Sequence, residues 1–317
     1  MTERERFIAA LERKPITGRV PHFELVFFLT MEAFGRVHPH QRSYKQWDQM
    51  EEKERQLHRE DQADLYIQTA EKYEHSAIFI HPNPGTMEET CRLIDEIRKK
   101  SGDKYFLLKH GDATYGIPNG DNMVEFSYKM VDAPQELKSN AARRVEETLR
   151  NAQELKKHGG LDGFGMCSDY CLNDGPFLSP DQFGEFVHPY LKQLIAEYRS
   201  MGFYTIKHTD GDIMPIIDQL VDCSPHALHS IDPQAGVDIG EVKEKYGDKV
   251  CLIGNVNCGL LQTGTEEEAV ESARYALKKG MPGGGYIFST SNCIYTGLPL
   301  ARYELILNVW REHGNYP

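Results

Sequence analysis

His208 and Asp210 lie two positions apart, just past the apolar run Phe203 to Lys207 and before Gly211. At an extended strand end, side chains two apart point the same way, so an imidazole nitrogen and a carboxylate oxygen can meet one cation. Cys293 follows the last apolar run of the chain, Cys258 follows the run before it, and Glu24 lies within the first. A set offering nitrogen, oxygen and sulfur suits zinc. No two thiols share a fixed local spacing, so the same residues also read as hydrogen bonders and small buried side chains. Asp169 and Tyr170 form a second polar tip, flanked by Cys167 and Cys171. They read as substrate-positioning or acid–base groups, or as a cap on loop amides. Cys167 and Cys171 lack the spacing of a dithiol redox motif. His226 and His229 flank a short apolar run, where a structural role is the default, and His38 and His40 fall in a loop.

For such tips to converge, the apolar runs must be neighbouring strands. Strand-like runs are read at Arg19 to Phe28, Ser76 to Ile80, Tyr105 to Leu108, Leu161 to Cys167, Phe203 to Lys207, Ala227 to Ser230, Val250 to Ile253 and Tyr286 to Ser289. Helical segments separate most of them, including Tyr44 to Asp61, Met87 to Lys100, Asp132 to about His158, Ser179 to about Met201, and Glu266 to Lys279. This alternation predicts parallel βα units. About eight such units match an α/β fold of the (β/α)8 TIM-barrel type, with residues 1–317 as a single domain that begins with a helical extension. In such barrels chemistry is done at the carboxyl ends of the strands, where the polar tips fall. A doubly wound sheet is the competitor, but no Gly-x-Gly-x-x-Gly turn follows an early strand. Gly283-Gly284-Gly285 precedes the last strand and reads as a tight helix-to-strand turn, since the glycines do not open a helix.

Lysine and arginine total 36 against 48 aspartate and glutamate, a net charge of -12. With no basic stretch, a nucleic-acid-binding surface is excluded. No apolar run approaches the roughly 20 residues of a membrane helix. Met1 to Arg13 is charged and has no signal-peptide pattern, so a cytoplasmic location is expected. Seven cysteines at irregular spacing do not form a disulfide framework.

Several motifs occur in order: Asp169-Tyr170, Gly175 to Pro180, Phe183 with Pro189-Tyr190-Leu191, His208-Thr209-Asp210-Gly211-Asp212, Gly254-Asn255-Val256-Asn257 and Gly283 to Ile287. As a set they resemble the uroporphyrinogen decarboxylase superfamily, and within it the cobamide-dependent methyltransferase branch more than the decarboxylases. The likeness spans about half of the chain, from Leu161 onward. It implies a (β/α)8 barrel and a methyltransferase moving a methyl group between a small substrate (a methyl ether, alcohol, amine or thiol) and a cobamide. The corrinoid would be carried on a partner protein. The resemblance also implies zinc on His208 and Cys293, with Asp210 standing where thiol-methylating relatives have the first cysteine of His-x-Cys. Carboxylate for thiolate makes a harder site. Glu24 or Cys258 would complete the set, and Asp169 and Tyr170 would position substrate. The decarboxylases carry an arginine-rich element after the first strand, whereas this chain has Phe23 to Phe28 with no arginine. A decarboxylase-like lyase, or a non-catalytic small-molecule binder on the same barrel, is the alternative.

Overall fold

A computed structural model describes residues 1–316. Its strands are β1 Ala77–Ile80, β2 Phe106–His110, β3 Gly163–Cys167, β4 Cys171–Leu172, β5 Gly175–Pro176, β6 Tyr204–His208, β7 Ala227–His229, β8 Cys251–Val256 and β9 Tyr286–Thr290. Seven of them form one sheet in the order β1-β2-β3-β6-β7-β8-β9, and every pair is parallel. The remaining two, β4 and β5, make an antiparallel hairpin. Helices connect the parallel strands, as crossovers between parallel neighbours require. The expected parallel α/β architecture is therefore present, with seven regular strands in the sheet.

The expected first strand, Arg19 to Phe28, forms only isolated bridges, His22 to Phe288 and Phe27 to Ile294 among them. Its backbone nevertheless touches both sheet edges. The Phe23 N–H donates to the Phe288 carbonyl at 3.1 Å, and the Ser76 N–H donates to the His22 carbonyl at 2.7 Å. Two features interrupt the ladder. Pro21 has no N–H to give. The Thr290 N–H, which a continuing ladder would pair with a carbonyl, donates to the Glu24 carboxylate at 3.2 Å.

Side chains alternate across each strand. The inward row packs Phe79, Leu108, Ile206, Ala227, Ile253 and Ile287 into one apolar cluster, and the outward row packs against the helices. The N-terminal helix Glu3–Leu11 is held by a Thr2–Glu5 capping box. It inserts Phe7 into the inner cluster, against Phe23 and Phe106.

Three helices depart from the sequence reading. Tyr44 does not begin the long helix, which runs Glu52–Lys72 because Glu51 and Glu54 form a capping box there. The segment after Ser179 splits into Pro180–Phe186 and His188–Ser200. Pro189 lacks the N–H that a continuous helix would need and clashes with the preceding turn. Helix Gly120–Asp132, started by the Asn119 side chain accepting the Asn122 N–H, was not expected. No helix among the described residues is long and apolar enough to cross a membrane.

Candidate metal centre

The strand register aligns Cys167, His208 and His229 across β3, β6 and β7. All three sit at the carboxyl edge of the sheet. The His208 ring is buried, and its Nδ1 lies 2.7 Å from Nδ1 of His229. His208 Nε2 faces the other way, 3.6 Å from Asp169 Oδ1 and 3.7 Å from Asp210 Oδ1. These gaps are too long for hydrogen bonds. One ligand atom from each of Asp169, His208 and Asp210 lies within 4.8 Å of the others.

The unmet valences point into that gap. Asp210 Oδ1 is buried and has no hydrogen-bond partner, while Oδ2 accepts from the Asn292 amide. Burial, and next the charge of Asp169, push the Asp210 carboxyl up to about 7. Burial, and then the neighbouring Lys207 ammonium, hold the His208 imidazole down at about 3. A neutral imidazole and the buried Asp210 carboxyl, set beside a second carboxylate, are what a bound cation would relieve. The donor set of one nitrogen and two oxygens fits zinc.

The hydrogen-bond chain behind His208 sets its tautomer. The Ser289 hydroxyl donates to the Glu24 carboxylate at 3.3 Å, and His229 Nε2 lies 3.4 Å from that hydroxyl. An acceptor-only Glu24 carboxylate directs the Ser289 proton to itself. His229 Nε2–H then donates to Ser289, His229 Nδ1 accepts from His208 Nδ1–H, and the lone pair of His208 Nε2 faces the aspartates. Outer partners commonly orient a metal-binding imidazole in this way.

Asp169, His208 and Asp210 come together, and the Asp210 N–H donates to Asp169 Oδ1 at 3.1 Å. Glu24 is buried behind the cluster and accepts from the Thr290 hydroxyl at 2.6 Å. Cys258 and Cys293 adjoin each other, with the Cys258 thiol 3.9 Å from the Cys293 carbonyl oxygen. Neither belongs to the close cluster. Burial raises the Cys258 thiol to about 11 and the Cys293 thiol to about 12. Cys258 shares a cavity of about 80 Å³ with Asp210, Asp232 and Asn292. Tyr170 is buried, its hydroxyl 2.6 Å from the Thr114 hydroxyl and its ring 4.1 Å from the Lys207 ammonium.

His229, to which the sequence reading gave a structural role by default, and Asn292 and Asp232, to which it gave none, are participants as well. His229 is signalled only by its pairing opposite His208, which requires knowing that β6 and β7 are neighbours. Asp232 accepts the Gly211 N–H at 3.2 Å. Gly211 itself is required: its φ is +83°, and a Cβ there would lie 2.5 Å from the carbonyl oxygens of Cys171 and Leu172. The β4–β5 hairpin thus rests directly on the turn that carries Asp210.

Residues 166–313 match the family model of uroporphyrinogen decarboxylase (URO-D). Curated relatives include the uroporphyrinogen decarboxylase of Chlorobaculum tepidum, 20% identical over 73% of this chain and 68% of the relative. That of Chlorobium phaeovibrioides is 20% identical over 74% of this chain and 67% of the relative. Among solved structures, a methyltransferase from Methanosarcina mazei shares the fold, with a TM-score of 0.74 and 19% identity over 98% of this chain and 99% of that one. The URO-D match covers the segment that holds His208, Asp210 and Cys293, so it is in this part that the chain is similar to the uroporphyrinogen decarboxylases.

Proposed function

We propose that this protein is a methyltransferase of the cobamide-dependent branch, exchanging a methyl group between a small substrate and a corrinoid carried by a partner protein. The observation that carries the reading is the Asp169, His208 and Asp210 cluster, with a buried, unpartnered Asp210 oxygen at the sheet edge where barrel enzymes do chemistry. The whole-length fold likeness to the methyltransferase from Methanosarcina mazei supports it. The overall scaffold is read as a (β/α)8 barrel, with the Pro21 to Glu24 segment taking the eighth position between β9 and β1.

His208 Nε2 and Asp210 Oδ1 would hold zinc, with Asp169 or a movement of Cys293 or Cys258 supplying further donors. Bound there, zinc supplies Lewis acidity to a substrate oxygen, nitrogen or sulfur. His229, Ser289 and Glu24 keep the His208 lone pair turned toward the cluster. Asp169, half exposed at the mouth, is placed to contact an incoming substrate, whereas buried Tyr170 shapes the loop from behind. Because the cluster opens at the carboxyl edge, the corrinoid partner must approach over that edge. The curated relatives favour a decarboxylase as the second reading. Asp169, Asp210 and Asp232 around the cluster disfavour a polycarboxylate substrate by like-charge repulsion.

Two measurements test the reading. Metal analysis of protein purified without added metal should find zinc near one per chain, lost in His208→Ala. Spectroscopic following of cob(I)alamin against methyl ethers, methanol, methylamines and methyl thiols should show methylation by the native protein and not by His208→Ala. Turnover of uroporphyrinogen with no cobalamin methylation would replace this reading with the decarboxylase one.

A further inference from the structure

At the end of the sheet opposite the metal cluster lies a cavity of about 930 Å³. Most of its walls come from segments that precede strands rather than follow them, joined by His313 and Tyr316 from the end of the chain. Arg13 to Ile16 lie ahead of the His22 bridge, and the end of helix Glu266–Gly280 with Met281 to Gly284 lies ahead of β9. The floor is apolar, with Ile16 and Leu277 buried. Among the described residues, the lining includes Arg13, Arg274 and Lys278 and no carboxylate. Ion pairs at its margin use Lys14 with Glu12 and His313 with Glu312. Among the described residues, Arg13, Arg274 and Lys278 form none. The hydroxyl of Tyr316, which also lines the cavity, is buried with no partner among the described residues.

This pattern is unusual for a chain with net charge -12, which has carboxylates in excess for pairing its cations. Three cations without carboxylates, above an apolar floor, complement an anion that carries an apolar body. The volume is that of a small-molecule site. Its position at the amino ends of the strands separates it from the reaction edge. The inference is therefore independent of the methyltransferase reading. We propose that this cavity is a second site, which binds a small amphipathic anion: an aromatic ring or short aliphatic chain bearing one phosphate or carboxylate group.

Calorimetric titration of the full chain tests it with 1-naphthyl phosphate and 1-naphthoate as probes. At least one should bind saturably at one per chain, with 1-naphthol and inorganic phosphate each weaker by about tenfold or more. Arg274→Glu with Lys278→Glu should weaken the probe by about tenfold or more, since charge-assisted hydrogen bonds are lost and repulsion is added. Arg274→Ala, which only trims an exposed side chain, should weaken it severalfold and guards against misfolding of the double variant. Asp210→Asn should leave binding unchanged. The proposal is overturned by no saturable binding of either probe, by equal binding of 1-naphthol, by indifference to both cation variants, or by loss of binding in Asp210→Asn.

Discussion

A buried carboxylate oxygen without a partner, set beside a second carboxylate, costs a metal-free protein stability, and Asp210 carries that cost. Its folded value of about 7 lies above the ordinary 3.8. Between those values the folded chain holds a proton that the unfolded chain releases. The contribution of Asp210 to stability is therefore present at acid pH and is lost as pH rises from 3.8 through about 7. Asp210→Asn should remove the carboxylate's penalty and keep a polar partner for Asn292. At pH 8, after chelation, the variant is expected to be more stable than the native protein by roughly 2 kcal/mol, while zinc binding is lost. Calorimetric melting of both chelated proteins checks this, and an equal or lower melting temperature for the variant contradicts it.

Strand elements are tied together behind the site by a fully buried ion pair. The Lys207 ammonium of β6 meets the Asp112 carboxylate, which follows β2, at 2.8 Å, with both side chains 0% exposed. The same ammonium donates to the carbonyls of Met166 and Ser168 at 3.2 and 2.9 Å, so it also anchors the loop that presents Asp169. Lys207→Met strands the Asp112 charge and should cost about 3–5 kcal/mol. Asp112→Asn on that background should recover a large part, because the unpaired charge is gone. Urea denaturation of the two single variants and the double variant measures the coupling. Additive costs would mean that the pair does not act as a unit. A separate expectation concerns the hairpin. Gly211→Ala forces a Cβ against the Cys171 and Leu172 carbonyls at a left-handed φ, which should cost about 1–3 kcal/mol and raise hydrogen exchange across residues 171–176.

At the scale of the molecule, several imidazoles are kept neutral by burial. His38 is held down at about 3, and His81 and His226 at about 4. His226 Nδ1 accepts the Thr205 N–H at 3.0 Å, a bond that ring protonation abolishes. Each folded value lies below the ordinary 6.5. As pH falls from 6.5 toward 4, the unfolded chain takes up protons that the folded one refuses, so stability declines. Each histidine should contribute on the order of 2 kcal/mol, outweighing the opposite trend from Asp210. The melting temperature of chelated protein is expected to fall steadily between pH 7 and pH 5. A rise over that interval would contradict the argument, and His226→Gln should reduce the slope.

The amino-acid sequence by itself determined the parallel α/β alternation, because apolar runs and capped amphipathic segments are local properties of consecutive residues. It also placed His208 and Asp210 together at the end of one strand, since both directly close the apolar run Phe203 to Lys207. Pro189 and Pro21 stand in the sequence, but the helix break and the interrupted ladder found at them were not read from it: one continuous helix and one continuous strand were expected there. Only the tertiary structure decided that Asp169 closes with His208 and Asp210, that His229 and Asn292 support them, and that Cys258 and Cys293 stand beside rather than within the close cluster. Those relations depend on strand order and register across β3, β6, β7 and β9. No residue carries information about which strand will be its neighbour, because that choice is made by packing of the whole chain.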